Sequence, residues 1–346
     1  MSFRFVAVSD IHAHNWPACS SMTDQSVNSR LVDVCNELLR IRRYMNENKI
    51  KYLVHTGDLF HVRGKPPVEA VGLVYMILRQ MRVFDKINIL LLVGNHDLSI
   101  ESDLHALAPF TDIAKVVGKP ERFKWGEIEC VGIPYASGIE QLQRGLALVR
   151  RRSTKLLMMH QGIHGVPVRS GYTPDELMKK KWLPKSTTLN LLGHYHEFQP
   201  VDKHSFYVGS LSQHNWGDEG IAKYFLDISL KGGRFKMKKV RTRTSRFVTL
   251  RPPAMDDVAG NFCRVVLPHI DQHKAEKLRK KLLAKGARWV EFEVSPHSDP
   301  SVELSARKVQ FGKQMISEFV NNIDTTLDKG QLVELGEKIL GSVRHQ

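Results

Sequence analysis

Seven side chains in this sequence have the types and spacing of a metal centre: Asp10, His12, Asp58, Asn95, His160, His194 and His196. They fall in five short motifs: Asp10-Ile11-His12, Gly57-Asp58, Gly94-Asn95-His96-Asp97, His160 and Gly193-His194-Tyr195-His196. Carboxylate, amide and imidazole donors favour Mn2+, Fe2+ or Zn2+ over Mg2+, and the lack of a thiolate argues against a structural zinc. Two cations about 3.5–4 Å apart need a ligand that bridges them, and a carboxylate does this. Asp58 is the natural bridge. In one grouping Asp10, His12 and His196 complete one ligand set, and Asn95, His160 and His194 the other. Such a pair of cations activates water and clamps phosphoryl oxygens, a means of hydrolysing phosphate esters. His96 follows the ligand Asn95 and is expected in the same cleft, where it stabilises the transition state or protonates the leaving group. Asp97 is expected to orient His96 and favour its cationic form.

Each motif closes a short apolar run, at residues 3–8, 52–55, 89–93, 156–159 and 189–192. Continuous apolar runs of this length read as buried strands, and functional residues collect just past the carboxyl ends of strands in α/β sheets. Between the runs, residues 27–46, 67–84 and 137–151 carry apolar positions at helical spacing. Alternating strands and helices predict an α/β layered core. Further strands are expected at 205–209, 223–229, 233–239 and 246–250, with Gly232-Gly233 as a hairpin turn. Arg251-Pro252-Pro253 reads as a linker. Beyond it, strand 262–267, helix 273–283 and strand 289–294 predict a small α/β unit, followed by helices at 302–323 and 330–343. The expected domains are therefore 1–250, 254–298 and 301–346.

The 346-residue chain has a formal net charge of +15, and the basic residues are clustered. Residues 231–251 hold nine of them with no acidic side chain, and 150–152 and 179–181 are solid basic blocks. Such patches suit a polyanion such as nucleic acid. Cys19, Cys35, Cys130 and Cys263 lie far apart, which fits a reducing cytoplasm rather than a disulfide framework. No apolar run is long enough to span a membrane and no signal-like segment precedes the first strand, so a cytoplasmic protein without a membrane partner is expected.

The motif series Asp-x-His, Gly-Asp, Gly-Asn-His-Asp, His and Gly-His-x-His resembles that of the calcineurin-like metallophosphoesterase superfamily, across roughly residues 8–196. Within it the chain is similar to the SbcD-type DNA nucleases, a group that includes phage recombination endonuclease subunits. Gly57-Asp58-Leu59-Phe60-His61 looks like that group's second motif. Val208-Gly209-Ser210-Leu211 followed by Gly217-Asp218-Glu219 looks like its segment after the last ligands. The resemblance implies a two-layer β-sandwich flanked by helices, a small α/β capping domain that holds DNA, and C-terminal helices. It implies two divalent metal ions, Mn2+ first with Mg2+ or Fe2+ as alternatives. The implied activity is 3′→5′ exonuclease action on duplex DNA and endonuclease action on single strands, in DNA repair or recombination. A homodimer and an SbcC-type coiled-coil ABC ATPase are the implied partners, in the host cytoplasm if the gene is a phage's. His61 matches a second active-site histidine that helps position the DNA end.

DNA contacts are expected from Arg234, Lys236 and Lys238, which alternate with Phe235 and Met237, and from Lys277 and Lys281 on the basic helix. Docking of the ATPase is expected on Ile316, Phe319, Val320 and Ile323 and on Leu335 and Ile339. Dimerisation is expected through the helix at 67–84 with segment 101–108, including Leu104 and Leu107. Two departures stand out: Ala13-His14 where many relatives carry Leu-Gly, and Ser212-Gln213-His214-Asn215 without the basic residue expected there. Two other readings compete: a phosphatase or small-molecule phosphodiesterase on the same scaffold, and a non-catalytic DNA-binding regulator of an ATPase. The absence of Asp-Arg-Gly after Asp58 opposes a serine/threonine phosphatase. The intact ligand set opposes the regulator.

Overall fold

A computed structural model describes residues 2–102, 104–151, 153–167, 176–294, 320 and 328–335. The chain forms two compact units, Met1–Val294 and Ser295–Gln346. The first opens with β1 (Phe3–Val8), α1 (Ser29–Glu47), β2 (Tyr52–His55), α2 (Val68–Val83), β3 (Asn88–Leu92) and β4 (Lys115–Val117). It continues with β5 (Glu121–Trp125), β6 (Ile128–Ile133), α3 (Ile139–Ala147), β7 (Thr154–His160), β8 (Ile163–His164) and β9 (Met178–Lys179). Then come β10 (Leu189–Gly193), β11 (Gln199–Pro200), β12 (Ser205–Tyr207), β13 (Tyr224–Lys231) and β14 (Arg234–Arg241). It closes with β15 (Phe247–Leu250), β16 (Phe262–Leu267), α4 (Gln272–Ala284) and β17 (Trp289–Val294).

Two six-stranded sheets carry the site, in orders β14-β13-β1-β2-β3-β4 and β11-β12-β10-β7-β6-β5. The apolar runs are continuous because both faces of each central strand are covered. On β1, Phe5 and Ala7 enter the core between the sheets, while Val6 and Val8 enter the core beneath α1 and α2. On β7, Leu156 and Met158 face the inter-sheet core, and Leu157 and Met159 face the core that holds Leu142 of α3. Each buried side chain of this size contributes about 1.5–3 kcal/mol. This is a mixed α/β sandwich flanked by helices. Asn28 caps α1 by accepting from the main-chain N–H of Arg30 and Leu31.

Within each sheet the ligand-bearing strands run parallel: β1, β2 and β3 in one, β7 and β10 in the other. Their carboxyl ends therefore lie on one edge per sheet. The antiparallel hairpin β5–β6, which the sequence reading passed over, closes one side of the second sheet. β13 and β14 meet across Gly232-Gly233, as expected, with Lys231 opposite Arg234.

The three-stranded sheet β15-β16-β17 is all parallel and has its own core of Leu250, Val258, Cys263, Val265, Leu282, Ala287 and Val290. The strand at 247–250, expected at the end of the sandwich, pairs instead with β16. Arg288 ties this layer to α1 through Asp33 and the Ser29 carbonyl. Leu107, expected at a dimer surface, is fully buried in the helix-side core, whereas Leu104 is exposed. In the second unit Val320 is buried, Leu335 is exposed, and Asp328 accepts from the Gln331 N–H at the start of a helical turn. Ile316, Phe319, Ile323 and Ile339 lie outside the described residues.

Candidate metal centre

The turns after β1, β2 and β10 double back sharply: Asp10, His12, Asp58 and His194 all have positive φ, at 47°, 48°, 58° and 100°. Side chains rarely adopt this conformation, and such strain collects at functional sites. Compensating hydrogen bonds hold each turn. Asp10 N–H donates to the Gly57 carbonyl and His12 N–H to the Asp58 carbonyl, at 3.0 and 3.1 Å. His194 N–H donates to both Asp10 oxygens, at 3.0 and 3.2 Å, which joins the two sheets. The motif glycines are steric requirements. A Cβ on Gly57 or Gly193 would stand 2.0 or 2.6 Å from His160 Nδ1, and one on Gly94 would stand 2.1 Å from Asp58 Oδ1.

Six of the seven expected ligands form one chain of contacts around Asp58. His12 Nε2 lies 3.6 Å and His160 Nε2 3.3 Å from Asp58 Oδ2. His12 Nε2 and His196 Nε2 are 3.1 Å apart. Asn95 Oδ1 sits 3.0 Å from His160 Nε2 and 3.1 Å from His194 Nδ1. Asp10 completes a buried group with His12 and Asp58, with donor atoms within 4.8 Å of one another. The contacts fall into two sets, His12 with His196 and His160 with Asn95 and His194, with Asp58 between them.

The electrostatics call for positive charge. Burial opposes the Asp58 carboxylate, yet His160 and His96 hold its pKa at about 2. Burial opposes protonated His160, yet Asp58 and Asp10 push its pKa to about 9. Burial, reinforced by neighbouring imidazoles, pushes His12 well down, and burial also lowers His196. Neutral ring nitrogens 3.1 Å apart are placed as ligands of one cation are, since metal–nitrogen distances near 2.0–2.1 Å set neighbouring ligands about 3 Å apart. The donor set therefore fits a pair of divalent cations.

His96 enters the site as expected, by a route the sequence did not reveal. Its N–H donates to Asp58 Oδ1 at 2.8 Å, and its Nδ1 donates to the His61 carbonyl at 2.5 Å, so Nε2 is left for a substrate. His61 stacks on it at 5.4 Å, with Nδ1 3.3 Å from His12 Nδ1. Asp97 does not orient His96. Its fully buried carboxylate instead accepts from the N–H groups of Asp58, Phe60 and Gly94, at 3.0, 3.1 and 2.9 Å. It braces the two turns that carry Asp58 and Asn95.

Two features escaped the sequence. His214 stands with Nδ1 3.2 Å from His196 Nδ1 and groups with His12 and His196. Its only sequence signal is its place in the segment after Gly209-Ser210. The second feature is a basic cavity of about 410 Å3, lined by Arg241, Arg243 and Arg246 with Lys223, Thr242 and Asn261. The register explains it. Ser229 pairs with both Arg4 and Lys236, and Lys231 pairs with Arg234, so Arg234 and Lys236 sit at the sheet end remote from the ligands. Arg241, at the other end of β14, is the basic residue this strand brings to the metal edge. Lys277 and Lys281 are exposed on α4.

The sandwich and its ligand edge define a metal-dependent phosphoesterase. The family model "Calcineurin-like phosphoesterase" matches residues 3–230, and the chain belongs to that family. Its members are hydrolases that act on phosphoesters with divalent metals. The chain is 29% identical over 180 residues to a DNA double-strand break repair protein Mre11 of Sulfolobus acidocaldarius, covering 49% of this chain and 45% of that one. It thus spans less than half the length of that relative. It is 21% identical over 258 residues to a putative phosphoesterase 078R of Invertebrate iridescent virus 3, covering 72% and 70%. Among solved structures, a dimetal phosphatase from Danio rerio aligns over 70% of this chain and 96% of its own, with 12% identity and a TM-score of 0.45. Among the described residues no helix is long and apolar enough to cross a membrane.

Proposed function

We propose that this phosphoesterase is a Mn2+-dependent DNA nuclease subunit, a 3′→5′ exonuclease on duplex ends and an endonuclease on single strands. The observation that carries the reading is the basic cavity at the metal edge. Arg241, Arg243 and Arg246 line it, and it shares Lys223 with the support of His196, whose carbonyl accepts from Lys223 Nζ at 2.9 Å. Three arginines in one cavity suit the repeated phosphates of a polyanion better than a single small phosphate ester. The half-length likeness to a break-repair protein supports the same substrate.

Bound cations supply the activated water and neutralise the phosphoryl charge. Asp10, His12, Asp58 and His196 would hold one of them, and Asp58, Asn95, His160 and His194 the other. As the imidazolium, with Nδ1–H held by the His61 carbonyl, His96 would give its Nε2 proton to the leaving oxygen or stabilise the charge on it. Asp97 keeps the turns of Asp58 and Asn95 in register. The proposed organisation is a homodimer with the layer around α4 as a DNA-holding cap and residues 301–346 as the docking element for an SbcC-type ATPase. Exposed Met76, Val68, Ile100 and Leu104 supply the apolar surface for the dimer.

The test is end-labelled duplex and single-stranded circular DNA incubated with purified protein and Mn2+, beside a small aryl phosphodiester. Cleavage of both DNAs is expected. Turnover of the aryl ester alone, with DNA untouched even in the presence of the ATPase, would overturn the nuclease reading. That outcome would favour a small-substrate phosphodiesterase, the reading to which the broader alignment with the viral phosphoesterase lends weight.

A further inference from the structure

His214 is fixed more tightly than a loop residue needs to be. Its N–H donates to Asp218 Oδ2 at 2.8 Å, and its carbonyl accepts from the Arg30 guanidinium at 2.7 Å. Asp218 is held by Lys223 Nζ at 3.1 Å, and the same ammonium holds the His196 carbonyl. Arg30 is buried against Trp16, 4.5 Å from its ring centre. The imidazole between these anchors is 4% exposed, and its Nε2 has no hydrogen-bond partner. No carboxylate contacts the ring among the described residues. The ring packs against His12 and Trp16, with centres 4.8 and 5.6 Å away, and its Nδ1 meets His196 Nδ1 at 3.2 Å.

We infer that His214 is a positioning residue: it accepts a hydrogen bond from His196 Nδ1 and so forces the His196 lone pair onto Nε2, toward the cation it shares with His12. An imidazole has one proton to place when neutral, and the partner of its outer nitrogen decides which nitrogen is left to bind a metal. His196 Nε2 already faces His12 Nε2, so the proton belongs on Nδ1. Only a lone pair can accept it, which puts the proton of His214 on its unpartnered Nε2. The neighbouring ligand is treated in the same way, with His61 Nδ1 facing His12 Nδ1 at 3.3 Å. On the other side of the centre His160 Nδ1 meets the Thr56 carbonyl instead, at 2.8 Å.

This inference rests on the two-cation site, not on DNA being the substrate. The experiment uses the full chain with 15N-labelled histidine and Zn2+, read by long-range 1H–15N correlation. His196 is expected with a metal-shifted Nε2 and a protonated Nδ1, and His214 with an unshifted ring protonated on Nε2. Mn2+ titration of His214→Ala is expected to show one of the two cations weakened roughly 10–100-fold. His214→Asn, which keeps an acceptor, is expected to recover most of that loss. A metal shift on a His214 nitrogen, or two wild-type affinities in His214→Ala, overturns the inference. If His214→Ala does not fold, the spectrum of the unaltered chain decides alone. A wild-type chain that binds no cation refutes the metal site itself, which is a different failure.

Discussion

The two halves of the metal centre are built from different materials. Around His160 the support is main chain: the Thr56 carbonyl on Nδ1, and Gly57 and Gly193 so close that neither tolerates a side chain. Around His12 and His196 the support is other side chains, His61 and His214. A carbonyl in the buried turn that follows β2 cannot rotate freely or titrate. An imidazole can do both. The His160 half is therefore fixed when the sandwich folds, whereas the His12 half depends on loops that also touch the three-stranded layer, where Phe247 N–H donates to Gln213 Oε1 at 2.7 Å. One half is rigid, and the other is open to adjustment by whatever moves that layer.

The greatest effect is expected where the halves join. Asp58→Ala removes the carboxylate oxygen that stands 3.6 Å from His12 Nε2 and 3.3 Å from His160 Nε2. Metal analysis should find both sites emptied at micromolar Mn2+, and phosphodiester hydrolysis should fall to the uncatalysed background. Retention of one tightly bound cation would show that the halves are independent and that Asp58 does not bridge them. Next in size is His96→Ala. It removes a ring but keeps the main-chain N–H on Asp58, so both cations should stay while kcat falls about 10^2–10^4-fold. Loss of either cation in that variant would move His96 into the ligand set.

The halves should also differ in how they answer to pH. Asp58 and Asp10 overcome burial and lift the His160 pKa to about 9, so the metal-free protein is expected to carry a proton there at pH 7. That proton must leave before Nε2 can bind a cation, so affinity at this half should rise about tenfold per pH unit from pH 7 and level off near pH 9. The imidazoles of the other half are lowered by burial and already neutral. Their affinity should change little over the same interval. Calorimetry in buffers of differing ionisation enthalpy reads both: proton release should accompany only one of the two binding events. Equal release at both would erase the distinction.

How much of this was legible in the sequence follows the same division. The ligands were legible because a strand buried on both faces leaves an unbroken apolar run, and the first polar residue past it marks the sheet edge. Asp97 was misread because its neighbour in sequence is His96 while its partners are the N–H groups of Asp58, Phe60 and Gly94, and no side-chain pattern announces a carboxylate that serves main chain. His214 lies 18 residues beyond His196 and is returned to it by main-chain and side-chain ties through Ser210, Asp218, Lys223 and Arg30. Where Arg234, Lys236 and Lys238 stand is a matter of register: alternation along β14 identifies a basic face but not which end of the strand meets the metals. β5 was passed over although its alternating burial, with only Trp125 fully inside, is the pattern of a half-exposed strand.

The smallest expected effect isolates main chain from side chain within a single residue. Thr56 contributes its carbonyl to His160, while its hydroxyl donates to Ser9 Oγ at 2.7 Å, and Ser9 in turn donates to Asp10 Oδ2 at 2.5 Å. Thr56→Val keeps the carbonyl and the shape but deletes the hydroxyl. Ser9 then loses a donor yet can still donate to Asp10, so the cost should be that of one buried hydrogen bond, about 0.5–1.5 kcal/mol. In a chain of this size that lowers the melting temperature by about 1–2 °C. Cation affinity at the His160 half should be unchanged, because nothing that touches its ring has moved. The His12 half should weaken slightly through Asp10. If the His160 half weakened instead, the carbonyl would owe its position to the threonine side chain, and the contrast between a main-chain half and a side-chain half would fail at the residue on which it depends most.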